Sequence, residues 1–198
     1  FRPLEAPPRI TNFRERLALL ANTGVDRVLV LKFNAELRGM SAEDFVSRVF
    51  VKGLGARYIA LGDDFRFGNS REGDYDYVRG LAAKFDYEVQ PTGTLEIGDV
   101  RVSSTRIRLA LAEGNFTEVQ QLLGRPFTMT GRVEHGRKLG RELGAPTANI
   151  RINRIRSPLS GVFAVRVDGA GLESAAAVAN VGTRPTVDDG LKANLEVH

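Results

Sequence analysis
The residues best suited to holding an anion lie between Gly131 and Asn149, GRVEHGRKLGRELGAPTAN. Glycines at 131, 136, 140 and 144 are interleaved with Arg132, Arg137, Lys138 and Arg141, and the run closes on Pro146-Thr147-Ala148-Asn149. A glycine lets backbone N–H groups come close to an anion because no Cβ intervenes, and the basic side chains supply the opposite charge. Thr147 and Asn149 add oxygen ligands of the kind a hard cation such as Mg2+ accepts. Spacing alone leaves two readings open, a phosphate-binding loop and a solvated basic loop. Pro146, the density of glycine and the lack of an apolar face argue against a packed helix with a small-residue face.

Three other stretches carry groups able to do chemistry. Gly62-Asp63-Asp64-Phe65-Arg66-Phe67-Gly68 sets two acids, two aromatics and an arginine between glycines. That mixture suits a planar, hydrogen-bonding ligand, and equally a turn with two core phenylalanines. Val102-Ser103-Ser104-Thr105-Arg106-Ile107-Arg108 runs into a helical LALA. Its hydroxyls can cap the free N–H groups of a helix start. The same N–H groups, with Arg106 and Arg108 beside them, make an anion site, because the helix dipole favours negative charge there. Near the end of the sequence Asn194, Glu196 and His198 alternate with Leu195 and Val197, so one face of a strand is polar. Such a face is commonly solvated; if it lines the glycine-rich loop, Glu196 is the base available to a hydroxyl.

Elements able to position these groups follow from the apolar pattern. Residues 12–22 read as an amphipathic helix with Phe13, Leu17, Leu20 and Ala21 inward, and residues 26–33, DRVLVLKF, as a strand buried on both faces. A second helix starts at Ser41, where SAED matches the capping pattern, with Phe45, Val46, Val49 and Phe50 as its core face. The strand RYIAL at 57–61, a helix over 74–85 and extended segments from Tyr87 and Glu96 complete a strand–helix alternation. This pitch predicts a parallel α/β sheet, a class that binds ligands at the carboxyl ends of its strands. Both the 62–68 and 102–108 loops fall at such places. A helix broken at Gly114 resumes over 116–123, and Gly124-Arg125-Pro126 marks a domain boundary. Beyond it, alternation over 127–133 and strands at 162–167, 175–181 and 193–197 predict a small antiparallel barrel.

With 198 residues the chain accommodates one large or two modest domains, and 42% hydrophobic with 26% charged residues is the balance of a soluble globular protein. A net charge of +4 suits anionic small molecules as well as nucleic acid. The absence of cysteine excludes disulfides and thiolate sites and permits a reducing compartment. No apolar run reaches the roughly 18–20 residues of a membrane span. The opening FRPLEAPPRI lacks Met and the closing LEVH sits inside a strand pattern, so the chain reads as a fragment of a longer one.

Seven motifs, GDDFRFG, VSSTRIR, LGRPF, GRVEHGRKLGRELGAPTAN, PLSGVFAV, VANVGTRPT and LEVH, occur in an order that resembles the bacterial bifunctional riboflavin kinase/FMN adenylyltransferases, the prokaryotic FAD synthetases. The resemblance implies a nucleotidyltransferase-like domain with a Rossmann-like parallel sheet over 1–124, followed by an antiparallel β-barrel riboflavin kinase domain over 125–198. It implies ATP, riboflavin and FMN as substrates, Mg2+ as cofactor, a cytoplasmic location, and neither nucleic acid nor membrane as partner, with oligomeric state open. In the kinase, Gly136, Lys138 and Gly140 would cover the ATP phosphates, Thr147 and Asn149 would hold nucleotide and metal, and Glu196 would be the catalytic base. Asn180, Arg184, Pro185 and Thr186 match the N-x-G-x-R-P-T loop bordering that site. In the first domain Ser103, Ser104, Thr105, Arg106 and Arg108 would hold ATP, and Asp64 and Phe65 would approach the flavin. The family's N-terminal G-x-F-D-G-x-H-x-G-H motif is missing, F-x-P-H-P is compressed without its His, and the chain stops before the family's C-terminal helices. A kinase with an inactive first module is therefore the alternative. A basic nucleic-acid-binding barrel is the remote one, opposed by Phe127 and Phe163 being the only aromatics of that half.

Overall fold
Helices begin where a side chain can accept a hydrogen bond from a backbone N–H that the helix itself leaves unpaired. The computed structural model, which describes residues 6–134, 147–186 and 190–198, follows that rule closely. Asn12 caps α1 (Phe13–Ala21), Asn34 caps α2 (Ala35–Gly39), and Ser41 caps α3 (Ala42–Phe45), which continues as a π-helical segment, Val46–Gly53. Asp74 caps α4 (Tyr75–Gly80), which is followed by α5 (Ala82–Phe85). Ser103 caps α6 (Ser104–Ala112) and Asn115 caps α7 (Phe116–Leu123), which ends at Gly124 in the left-handed region.

The chain packs as two units, Val28–Arg101 on the one hand and Phe1–Arg27 with Val102–His198 on the other. In the first, β1 (Tyr58–Gly62) runs parallel to β2 (Glu88–Thr92). Ala42, Val46, Ile59, Leu61, Phe67 and Val78 are the buried core. Ile59 and Leu61 point inward while Tyr58 and Ala60 are exposed, so β1 is covered on one face and not on both. Residues 26–33 correct the sequence reading: they form no strand, and Val28, Leu29, Val30, Leu31 and Phe33 are exposed. A β-branched run becomes a buried strand only where neighbouring strands take up its backbone groups and apolar layers cover both faces; the described residues place no strand beside it. The extended segment from Glu96 is a hairpin, β3 (Glu96–Ile97) with β4 (Val100–Arg101). Gly98 and Asp99 turn it with φ of 55° and 62°, the two positive values a two-residue type I′ turn requires.

In the second unit β5 (Arg132–Glu134), β6 (Ala148–Arg151), β7 (Gly161–Gly169), β8 (Leu172–Thr186) and β9 (Gly190–Val197) form one antiparallel sheet in the order β5-β6-β9-β8-β7. Alternation over 127–133 yields a strand only from Arg132, and β6 arises within the PTAN motif, where no strand was expected. Gly131 passes so close to β6 that a Cβ there would lie 2.3 Å from the Arg151 carbonyl oxygen. Ile152, Leu159, Ala179, Val181 and Leu195 share a core with Ile107, Ala110 and Leu111 of α6 and Val119 and Leu122 of α7. The two helices before Gly124 thus pack with the sheet that follows it.

Helix α1 is held to this unit by polar groups. Its Phe13 is exposed, and its buried residue is Glu15. The Glu15 carboxylate accepts from the Asn12 and Thr130 backbone N–H groups, each at 2.7 Å, and from Arg154 Nη2 at 2.6 Å. Asn12 Nδ2 donates to the Thr130 and Ile152 carbonyls, and Arg154 also donates to the Ile10 carbonyl. Burial lowers the Arg154 pKa, and the Glu15 charge works against that lowering.

Candidate functional site
In an antiparallel ladder, directly opposed residues share a face. The registers of β5, β6, β9 and β8 therefore set Glu134, Asn149, Glu196 and Asn180 in one row across four strands. On the opposite face the same strands place Ile150, Leu195 and Val181 in one row and Ala148, Val197 and Ala179 in another, and all of these but Ala148 supply core. Alternation that buries Leu195 thereby keeps Glu196 and Asn149 on the polar side.

One step along the same face, Thr147 lies beside His198. Its Oγ1 is 3.0 Å from Nδ1 and 3.3 Å from Nε2 of that imidazole. Asn194 Nδ2 donates to Glu196 Oε1 at 3.0 Å, which orients the carboxylate from two residues away on its own strand. Glu134 is paired with Arg151 at 3.3 Å. Thr147, Asn149, Asn194 and Glu196 are half-buried, and Asn180 and His198 are exposed. Of the residues singled out from sequence, the structure thus brings together Thr147, Asn149, Glu196 and Asn180. Gly136, Lys138 and Gly140 lie outside the described residues, as do the side chains of Arg184, Pro185 and Thr186. Sequence reasoning put Asn194 and His198 on the polar face without giving them a task; their partners became visible only with strand register.

The second candidate site is the start of α6. Ser103 accepts from the Arg106 N–H at 3.2 Å, the capping role, while Ser104 and Thr105 are exposed at the helix start. Both arginines already have protein partners. Arg106 Nε lies 2.5 Å from Glu118 Oε1, and Arg108 Nε donates to the Pro8 carbonyl at 2.8 Å. In the Val28–Arg101 unit, the loop after β1 places Asp63 and Asp64 at the carboxyl end of that strand. Arg101 Nη2 is 3.4 Å from Asp64, and Thr94 donates to Asp63 at 3.1 Å. Phe65 stacks on buried Phe67 with ring centroids 5.3 Å apart, so the loop's aromatics also serve the core. Gly68 closes the loop at φ 76°, where a Cβ would meet the Ala42 backbone at 2.8 Å.

Two surface concavities, of about 390 Å³ beside Arg57, Ala83 and Asp86 and about 550 Å³ beside Phe116, Gln120 and Gly124, are lined by none of these residues.

The family model for FAD synthetase matches residues 1–106. The chain belongs to the FAD synthetase family. The riboflavin kinase family model matches residues 123–198, which contain the whole polar row. This FAD synthetase family chain is 48% identical over 198 residues to the bifunctional riboflavin kinase/FMN adenylyltransferase of Pseudomonas fluorescens, covering 100% of the chain and 63% of that relative. It is 45% identical over 194 residues to the protein of the same description from Escherichia coli K12, covering 98% and 62%. It thus spans somewhat under two thirds of these relatives' length. A crystal structure described as a macrolide-efflux protein from Streptococcus pneumoniae superposes with a TM-score of 0.79 at 33% identity, over 100% of this chain and 63% of that one. The efflux description is that protein's own; among the described residues here, no helix is long and apolar enough to cross a membrane.

Proposed function
We propose that the chain carries the two modules of a flavin-forming enzyme, a Rossmann-like FMN adenylyltransferase domain over residues 1–124 and a riboflavin kinase β-barrel domain over 125–198. In the kinase reaction the ribityl 5′-hydroxyl of riboflavin attacks the γ-phosphorus of ATP. The new O–P bond replaces the one to the β,γ-bridging oxygen, the hydroxyl proton leaves, and FMN and ADP result. In the adenylyltransferase reaction a phosphate oxygen of FMN attacks the α-phosphorus of a second ATP, giving FAD and pyrophosphate. Both are placed in the cytoplasm, where ATP is supplied.

The observation that carries this reading is the cross-strand pairing of Asn149 with Glu196, with Thr147 one step along the same face. Phosphoryl transfer asks a protein chiefly for positioning and charge neutralisation. Glu196 takes the 5′-hydroxyl proton, held in orientation by Asn194. Lys138 and the backbone at Gly136 and Gly140 cover the phosphates. The donor set fits Mg2+: a hydroxyl, an amide oxygen and a neighbouring carboxylate are hard ligands. Among the described residues no cluster of three acids or histidines could hold a metal alone, which agrees with an ion bound by one or two side chains plus substrate phosphates. Thr147 and Asn149 would hold it, and when bound it would neutralise charge on the transferred group. In the first module Ser103, Ser104, Thr105, Arg106 and Arg108 hold the phosphates of the second ATP, Arg106 exchanging Glu118 for phosphate, and Asp64 and Phe65 approach the flavin.

The test is Glu196→Gln in the full-length protein. ATP affinity should be unchanged while FMN formation falls about 10²- to 10⁴-fold; full turnover would remove Glu196 as the base. Thr147→Ala and Asn149→Ala should each weaken Mg-ATP binding, and unaltered affinity in both would remove the metal assignment.

A further inference from the structure
We infer that Arg132 and Arg151 form a phosphate clamp on the polar face of the sheet, beside the row that holds Asn149 and Glu196. The clamp rests on the kinase reading above only for the source of its phosphate, the phosphate chain of the nucleotide or the phosphate of FMN.

Three observations carry it. The β5–β6 register sets Arg132 directly opposite Arg151, next to the pair formed by Glu134 and Asn149. Alternation puts all four side chains on one face, and Arg151 stands two residues, about 7 Å, from Asn149 along its strand. The Arg151 guanidinium is held from two sides: Nε donates to Asn153 Oδ1 at 3.1 Å and Nη1 to Glu134 Oε1 at 3.3 Å. Its Nη2 makes no hydrogen bond among the described residues. Arg132 is exposed and, among the described residues, has no ion-pair partner.

Like charges directly opposite each other on a sheet repel. Glu134 offsets one of the two guanidinium groups, so the three side chains keep one net positive charge. An oxyanion between the arginines turns the repulsion into attraction, and a guanidinium fork matches two phosphate oxygens at once. Other arginines nearby are not so arranged. Arg166 of β7 lies opposite Ala176 and donates to the Ser174 carbonyl. Arg154, three residues beyond Arg151, is buried and donates to Glu15 and the Ile10 carbonyl.

The experiment is calorimetric titration of the full-length protein with inorganic tripolyphosphate, with Mg-ATP and with FMN. It is made on the wild type, Arg132→Gln, Arg132→Lys, Arg151→Gln and Arg166→Gln. Arg132→Gln is the cleanest probe, because it breaks no ion pair among the described residues. Each of Arg132→Gln and Arg151→Gln should weaken phosphate binding about three- to tenfold, the scale of one net hydrogen bond. Arg132→Lys keeps the charge without the fork and should recover part of the loss. Arg166→Gln makes the same change in net charge on another strand and should leave every affinity unchanged. Whether the loss appears with Mg-ATP, with FMN or with both names the phosphate that is held. Unchanged affinity for all three probes in either Gln variant, or an equal loss in Arg166→Gln, overturns the inference while leaving the kinase reading intact. Failure of the wild type to form FMN from riboflavin and ATP removes that reading, and tripolyphosphate still tests the clamp. In urea unfolding Arg132→Gln should be as stable as the wild type or more so, since a like-charge contact is relieved. A fall in its stability alongside the fall in affinity would make Arg132 a structural residue and overturn the inference.

Discussion

Two arginine–glutamate pairs in the same packing unit have nearly the same length and opposite characters. Arg154 and Glu15 meet at 2.6 Å with side chains 1% and 4% exposed, while Arg106 and Glu118 meet at 2.5 Å with 42% and 17% exposed. The Glu15 carboxylate is further tied to two backbone N–H groups, the Thr130 hydroxyl and the capping geometry of α1. Glu118 shares its charge with the Asn115 amide at the edge of solvent. A short distance therefore says little about what a pair does. Desolvation and the number of additional donors make the first a fixed joint between α1 and the sheet, and water within reach makes the second a pair that a phosphate can displace.

The largest effect should come from Glu15→Gln, which leaves the buried Arg154 without its counter-charge. About 3–5 kcal/mol of stability should be lost in urea unfolding, and a loss below about 1 kcal/mol would erase the distinction between the pairs. Next is Arg106→Ala, which would remove the proposed charge-assisted phosphate contact, worth about 1.5–3 kcal/mol. FAD formation should fall about 10- to 150-fold while FMN formation is spared; equal loss in both steps would show that the modules are not independent. Third, replacing both buried charges, Glu15→Leu with Arg154→Met, should recover part of the Glu15→Gln loss. A residual deficit of about 1–2 kcal/mol is expected, because the N–H groups of Asn12 and Thr130 lose their acceptor. The smallest effect belongs to Glu118→Gln, which should change stability by less than about 1 kcal/mol, and less again at high salt. The same variant should raise ATP affinity at the α6 site by freeing Arg106, and unaltered affinity there would mean that the pair does not compete with nucleotide.

Legibility in the sequence follows the range of the interaction. Ser41 and Ser103 were readable because a cap involves groups within three or four residues. The polar face of β9 was readable because its period of two is written into Asn194, Glu196 and His198. Glu15 was not: on a helix it passes for a solvated charge, and its partner Arg154 lies 139 residues away. Residues 26–33 misled in the opposite direction, since an apolar run announces a strand and says nothing about whether a neighbour stands beside it. The hairpin at Gly98-Asp99 was a local signal overlooked in favour of one continuous extended segment. For the candidate site, motif and alternation singled out Thr147, Asn149 and Glu196, which the strand register sets on one face, whereas the contacts of His198 and Asn194 waited on which strands are neighbours and in what register.

Strand β9 carries core and polar side chains on alternate residues, Leu195 and Val197 inward and Glu196 and His198 outward. A slip of one position in its pairing would exchange the two sets, sending a carboxylate into the apolar layer and two aliphatic side chains into water. The greasy side of this strand consequently acts as an alignment key for the polar side. A chain that closes the sheet out of step forfeits stability, so the row of Asn149, Glu196 and Asn180 forms only with the aliphatic side in register.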